Sequence, residues 1–280
     1  MFRRPWSETH TNGGGAAKPY VIAVCHQKGG VAKTTTVLSL GACLVENFVE
    51  AVLLIDLDPQ GNLTTGLGLE PKQMACSSAD SLLRKESLLK VSRETRMSGL
   101  DIVPANPEML TISRQLYQQP GFEFLLRDRL AQDSASFYYD MVVIDCPPSL
   151  GSLTISALTA ADLMIVPFQC EYFAIQALEN VFKMVNVVRT KTNPQLQYRL
   201  LATMFDRRGN LHANVFARLQ ERQANALFET VIGFDSKLRE SQMVGLPINL
   251  HAPKTRAAEN YRTLAQEVFL HVSRRNLQAA

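Results

Sequence analysis

A chain of 280 residues, 46% hydrophobic and 20% charged, can bury a large core as one α/β domain or at most two. No apolar stretch reaches the length of a membrane-spanning helix and no charged-then-apolar leader opens the sequence, so a cytoplasmic location is expected. The five cysteines (Cys25, Cys43, Cys76, Cys146 and Cys170) form no C-x-x-C pair and are odd in number, which argues for core thiols and against a disulfide or zinc framework. A net charge of +3 does not announce a nucleic-acid binder, although arginines and lysines outnumber the acids after residue 200.

Residues 1–18 carry Arg3-Arg4, Pro5-Trp6 and three consecutive glycines without a helical or strand period, the pattern of a disordered tail. A domain is expected over 19–272. It opens on Val21 to Val24, an apolar run that passes into paired glycines and then Lys33-Thr34-Thr35: a strand, a phosphate loop and a helix start. Polyphosphates are held by backbone N–H groups converging at the positive end of a helix. Gly29 and Gly30 let the backbone come close, the Lys33 ammonium is placed for the β- and γ-phosphates, and the Thr34 hydroxyl is placed for Mg²⁺. The general pattern G-x-x-x-x-G-K-[ST] is met incompletely, because Gln27 and Ala32 stand at its two glycine positions. If position 32 needs φ > 0, its alanine costs on the order of 1–2 kcal/mol, which predicts a weakened or shifted site.

Apolar residues at helical spacing predict a helix over 34–46, followed by a buried strand over 51–55. Asp56 and Asp58 follow that strand at its carboxyl end, where ligands lie in an open parallel sheet. A helix is expected over 79–89 with Arg84, Lys85 and Glu86 in solvent, a strand over 100–104, and helices over 107–118 and 123–132. A strand over 141–144 then ends in Asp145, as a Walker B carboxylate on a Mg²⁺ shell requires. Prolines and glycine after it suit a switch loop responsive to a γ-phosphate. Further strands are expected over 162–167 and 200–204, a long helix between them, an amphipathic helix over 254–270, and a short polar tail over 273–280. Strands alternating with helices in this order predict a doubly wound, mainly parallel sheet flanked by helices.

The run Lys28-Gly29-Gly30-Val31-Ala32-Lys33-Thr34-Thr35 closely resembles the deviant phosphate loop K-G-G-x-G-K-T-T of the ParA/MinD family of P-loop partition and positioning ATPases. Residues 56–64, D-x-D-P-Q-G-N-x-T, are similar to that family's first switch, and I-D-C-P-P-S-L-G from Ile144 is similar to its second. Q-C-E-Y-F-A from Gln169 also resembles the partition ATPases. The likeness covers roughly residues 20 to 270.

It implies ATP cradled by residues 28–35, Mg²⁺ held through Thr34, Asp56 and Asp145, and catalysis by Lys28, Lys33 and Asp58. Asp58 would orient the attacking water, and Lys28 would reach the nucleotide of the other subunit in an ATP-bound homodimer. It further implies non-specific binding of double-stranded DNA, a ParB-like or other adaptor, and a nucleoid-associated location. Arg207, Arg208, Lys237, Arg239, Lys254 and Arg256 are the candidate phosphate contacts. In the family, the loop at 206–210 lies near the adenine. Besides Ala32, the chain departs from the family at its I-P-R-N segment, where Gly233 and Phe234 replace proline and arginine.

A MinD-like membrane-surface switch is the alternative, but its amphipathic C-terminal helix is poorly matched by F-L-H-V-S-R-R-N-L-Q-A-A. An iron–sulfur reductase would need cysteines in two loops, and only Cys146 lies near one. The tyrosine-rich tail of the related kinases is missing, and the related ligases lack a lysine like Lys28.

Overall fold

The computed structural model describes residues 18–133, 136–171, 174–206, 208 and 210–279. The expected tail up to residue 17, with Trp6, lies outside the described residues, as does Arg207. In chain order the elements are β1 (Tyr20–Val24), α1 (Lys33–Asn47), β2 (Val52–Asp56), α2 (Asn62–Gly66), α3 (Ser78–Leu83), α4 (Leu88–Val91), β3 (Arg93–Glu94), β4 (Leu100–Val103), α5 (Met109–Gln115) and α6 (Leu125–Gln132). They continue as β5 (Met141–Asp145), α7 (Ser152–Ala160), β6 (Leu163–Phe168), α8 (Ala174–Lys191), β7 (Gln197–Ala202), α9 (Asn210–Gln223), α10 (Lys237–Met243), α11 (Ile248–His251) and α12 (Arg256–Ala279).

The strands form one sheet in the order β3-β4-β2-β5-β1-β6-β7. Every neighbouring pair is parallel except the short edge pair β3 and β4. This is the expected doubly wound sheet. The central strands β2, β5 and β1 are buried along their whole length, which is why they read as unbroken apolar runs. Alternation along β1 divides the core in two: Val21 and Ala23 pack with α5, α6, α7 and α8, whereas Ile22 and Val24 pack with α1 and α12. In register, Val24 and Asp56 both face Asp145, so the carboxyl ends of three strands lie level below one crevice.

The structure departs from the sequence reading at several places. The single helix expected over 79–89 is two, because Lys85 adopts φ 61° and each half has its own N-cap. The Ser77 hydroxyl accepts from the Ala79 N–H while Asp80 accepts from the Ser77 N–H, and the Ser87 hydroxyl accepts from the Leu89 N–H. Helix α7 is buried nearly all round and so shows no one-sided stripe, whereas α9 packs Val215, Phe216 and Leu219 on the core, a stripe the sequence reading did not use. Finally, α12 continues to Ala279 through most of the segment expected as a polar tail.

Candidate functional site

The chain leaves β1 through buried Cys25 and His26, emerges at exposed residues 27–30, and turns back into α1. The Lys28 N–H donates to His26 Nδ1 at 2.9 Å, so that ring nitrogen carries no proton. Gly30 has φ 75°, and Ala32, the N-cap of α1, has φ 65° and ψ 33°. The left-handed backbone that the sequence suspected at position 32 is therefore present, with an alanine bearing it. No side chain caps α1, which leaves its first N–H groups for another acceptor. A Cβ added at Gly29 or Gly30 would meet nothing within 4 Å, so no packing within the chain requires glycine there. That open space is what close approach of a phosphate group needs. From behind, Gln169 Nε2 donates to the Gly30 carbonyl at 3.0 Å and Thr203 Oγ1 to the Val31 carbonyl at 3.1 Å. Lys33 is buried, its ammonium donating to the Lys28 carbonyl at 3.3 Å across the loop.

Below the loop lie carboxylates from two adjacent strands. Thr34 Oγ1 donates to Asp145 Oδ2 at 2.7 Å, while Asp145 Oδ1 is buried without a hydrogen-bond partner. Asp56 Oδ2 accepts from the Thr64 N–H and hydroxyl at 2.9 and 2.7 Å, and its Oδ1 accepts from the Asp58 N–H at 3.1 Å. Asp58 Oδ1 accepts from the Gln60 N–H at 2.9 Å. Burial pushes the Asp56 carboxyl up to about 7. Burial, and then the neighbouring charge of Asp56, raises Asp145 well above the usual carboxylate range. Burial also raises Asp58.

A hard divalent cation fits this arrangement: Asp145 offers a free oxygen beside the Thr34 hydroxyl, and phosphate and water would complete the shell. Among the described residues no three or more His, Cys, Asp or Glu side chains gather into a metal cage.

The loop and Asp58 form one side of a cleft of ≈ 680 Å³, whose far wall carries Met204, Phe234, Leu238, Arg239 and Gln242. Such a volume suits a nucleotide-sized ligand. Gln242 Nε2 joins the walls by donating to Thr35 Oγ1 at 3.0 Å. No motif marks Gln242 or Met204. Phe234, where the family pattern has arginine, is 64% exposed at the cleft, with the Arg239 guanidinium 5.6 Å from its ring centre.

Lys28 takes a partner within the chain. Its Nζ pairs with Glu171 Oε2 at 2.5 Å and donates to Gln169 Oε1 at 3.3 Å. The candidate DNA contacts are divided. Arg208 grips Asp206 through Nε and Nη2 at 3.0 and 2.9 Å, holding that acid down to about 2, and Lys237 pairs with Glu240 at 2.6 Å. Lys254 and Arg256 are exposed.

Residues 19–198 match the AAA domain family. The sporulation initiation inhibitor protein Soj of Bacillus subtilis is 39% identical over 249 residues, covering 89% of this chain and 97% of Soj. The chromosome partitioning protein ParA of Caulobacter vibrioides is 37% identical over 261 residues, covering 93% and 97%. The chain belongs to the ParA/MinD family of partition ATPases.

Solved structures share the fold. The cobyrinic acid a,c-diamide synthase of Mycobacterium smegmatis with bound ATP analog and magnesium shares 35% identity and a TM-score of 0.78, covering 90% of this chain and 95% of that one. McdA of Cyanothece has the same fold, with a TM-score of 0.79 at 19% identity over 90% of this chain and 96% of McdA.

Two expectations follow for this ParA-family chain. Ala32→Gly removes about 1–2 kcal/mol of left-handed strain, against an unfolded-state entropy cost of about 0.4–1 kcal/mol. Its thermal midpoint should rise by up to a few degrees, and a lower midpoint would contradict strain at this position. His26 is held down to about 4, first by burial and then by the charges of Lys33 and Lys28. A base with a depressed folded pKa contributes stability that is present above its unfolded value near 6.5 and lost as pH falls toward about 4. His26→Asn keeps an acceptor for the Lys28 N–H without titrating. Thermal melts across that window should therefore fall more steeply for the wild type than for the variant; parallel curves would exclude His26 as the cause.

Proposed function

We propose that this chain is a Mg²⁺-dependent ATPase that closes into a homodimer on ATP, binds double-stranded DNA non-specifically in that state, and moves or positions a large cargo through a ParB-like or other adaptor. Chromosome, plasmid and other large assemblies all fit the same engine. The observation that carries the reading is the Thr34 contact to Asp145 beside the open phosphate loop, with one Asp145 oxygen left unpartnered. Residues 28–35 cradle the triphosphate, and Thr34, Asp56 and Asp145 hold Mg²⁺ directly or through water. The magnesium supplies charge neutralisation on the phosphates. Lys33 adds a second positive charge, and Asp58 orients the attacking water, since phosphoryl transfer demands positioning more than covalent help. The diamide-synthase name of the Mycobacterium smegmatis structure favours a second reading, an ATP-driven amide-forming ligase. Release of phosphate with ATP and Mg²⁺ alone separates partition-type hydrolysis from it.

Lys28 completes the site of the other subunit. Its present ion pair with Glu171 is about half exposed on both sides (46% and 52%), and an exposed pair contributes only about 0–1 kcal/mol. Exchange of Glu171 for a partner's phosphates is therefore cheap. In the closed dimer Arg208, Lys237, Arg239, Lys254 and Arg256, together with Arg207, supply DNA phosphate contacts, and the protein is cytoplasmic and nucleoid-associated.

Gel filtration with ATP and Mg²⁺, followed by a DNA shift assay over a salt series, tests this reading. The wild type should double its apparent mass with ATP and bind DNA only then, with an affinity that falls steeply with salt as counterions are released. Lys28→Ala should stay monomeric. DNA binding that is absent, ATP-independent or indifferent to salt would contradict the proposal.

A further inference from the structure

The sheet has a second recess at its other end. The nucleotide cleft lies beyond the carboxyl ends of the strands, whereas this recess of ≈ 480 Å³ is built around the amino-terminal end of the edge strand β7. Arg189 from α8, Arg199 from β7 and Arg222 from α9 line it together with Asn225 and His271, and Glu221 is the single acid among the lining residues. We propose that this recess binds a compact phosphorylated small molecule, held by the guanidinium groups of Arg189, Arg199 and Arg222.

Two of the three guanidinium groups are fixed in place by the chain itself. Arg189 Nε donates to the Leu196 carbonyl at 2.7 Å, and its guanidinium carbon lies 5.6 Å from the centre of the Tyr198 ring. Arg199 Nη2 donates to the Leu227 carbonyl at 2.9 Å and to Glu267 Oε1 at 3.1 Å, with the Phe228 ring 4.5 Å beneath. The Arg199 side chain is only 18% exposed, so this is not an ordinary solvated basic face. Arg222 is exposed and has no partner among the described residues, which leaves its planar fork available.

Glu267 and Glu221 together balance two of the three positive charges, and the remainder is uncompensated. His271 also lines the recess. Its Nε2 lies 2.9 Å from Gln197 Oε1, and it titrates below the usual value, first through burial and then through Arg199, Arg275 and Arg274, with Glu267 opposing. Arg275 is itself paired with Asp162 at 3.5 Å.

Arg189 and Arg199 are already held in place and lose little freedom on binding, and the free fork of Arg222 can meet two phosphate oxygens at once. Concavity selects for size. A duplex tracks its backbone over a long exposed run, whereas a recess of this volume accommodates a few phosphate oxygens and a small organic remainder. Because the recess shares no residue with the nucleotide cleft, its occupancy can be read whether or not the cleft hydrolyses ATP.

The test is a titration with inorganic pyrophosphate, read at the His271 imidazole resonance by NMR and assigned with His271→Gln. It is run on the free protein and on protein whose nucleotide cleft is filled with a non-hydrolysable ATP analogue. A bound anion favours imidazolium, so a saturable shift with an upward move of the His271 pKa is expected in both states. Arg222→Ala removes an exposed, unpartnered side chain without touching the core and should weaken the apparent affinity at least tenfold. No saturable response, or an equal response in Arg222→Ala, would overturn the proposal. Saturation by a DNA duplex but not by pyrophosphate would also overturn it, by identifying a polynucleotide surface instead.

Discussion

Asp56 and Asp145 end adjacent strands with no exposure to solvent, so burial disfavours their ionised forms unless charge is answered from within the site or by a ligand. Bringing two carboxylates out of water side by side is costly unless cations or hydrogen-bond donors surround them. Thr64 and the Asp58 N–H answer Asp56, and the Thr34 hydroxyl answers one oxygen of Asp145. The other oxygen is left without a donor. The phosphate loop, the Lys33 ammonium and the level ends of β1, β2 and β5 are arranged around that unpartnered oxygen.

The same constraint explains which parts of the molecule could be read in advance. Strands buried on both faces have to be written as continuous apolar runs, so β1, β2 and β5 stand out in the sequence, each followed by its loop of chemistry. The left-handed turn at position 32 could be suspected because the phosphate-loop pattern has glycine there. Ala32 shows that the turn persists even when glycine is absent. The opposite wall of the cleft was not legible, because Gln242 reaches Thr35 across 207 residues and no short pattern encodes such a meeting. Glu171 escaped for a similar reason: it lies 143 residues from Lys28, and its place in the resemblance to partition ATPases named no partner for it. Helix α7 is hidden by the very burial that stabilises it, since a helix covered on every side carries no stripe.

Charge is distributed along the sheet with a clear polarity. At the carboxyl end, buried acids meet a buried lysine and an exposed one, and the exposed one is lightly tethered to Glu171. At the amino end of β7, by contrast, guanidinium groups gather with too few acids to balance them. Strand β7 joins the two regions: Arg199 belongs to the distal recess, while Thr203, just past the strand's end, bonds to the carbonyl of Val31 in the phosphate loop. In the proposed dimer, Lys28 would exchange Glu171 for the phosphates held by the other subunit.

The assignment of the buried carboxylates to a metal-bound triphosphate is tested most directly by calorimetric titration of the wild type and Asp145→Asn with ATP, with and without Mg²⁺. Magnesium should strengthen ATP binding by about tenfold or more in the wild type, about 1.4 kcal/mol, and the gain should vanish in the variant. Equal affinity with and without Mg²⁺ in the wild type, or a full magnesium gain in Asp145→Asn, would contradict it.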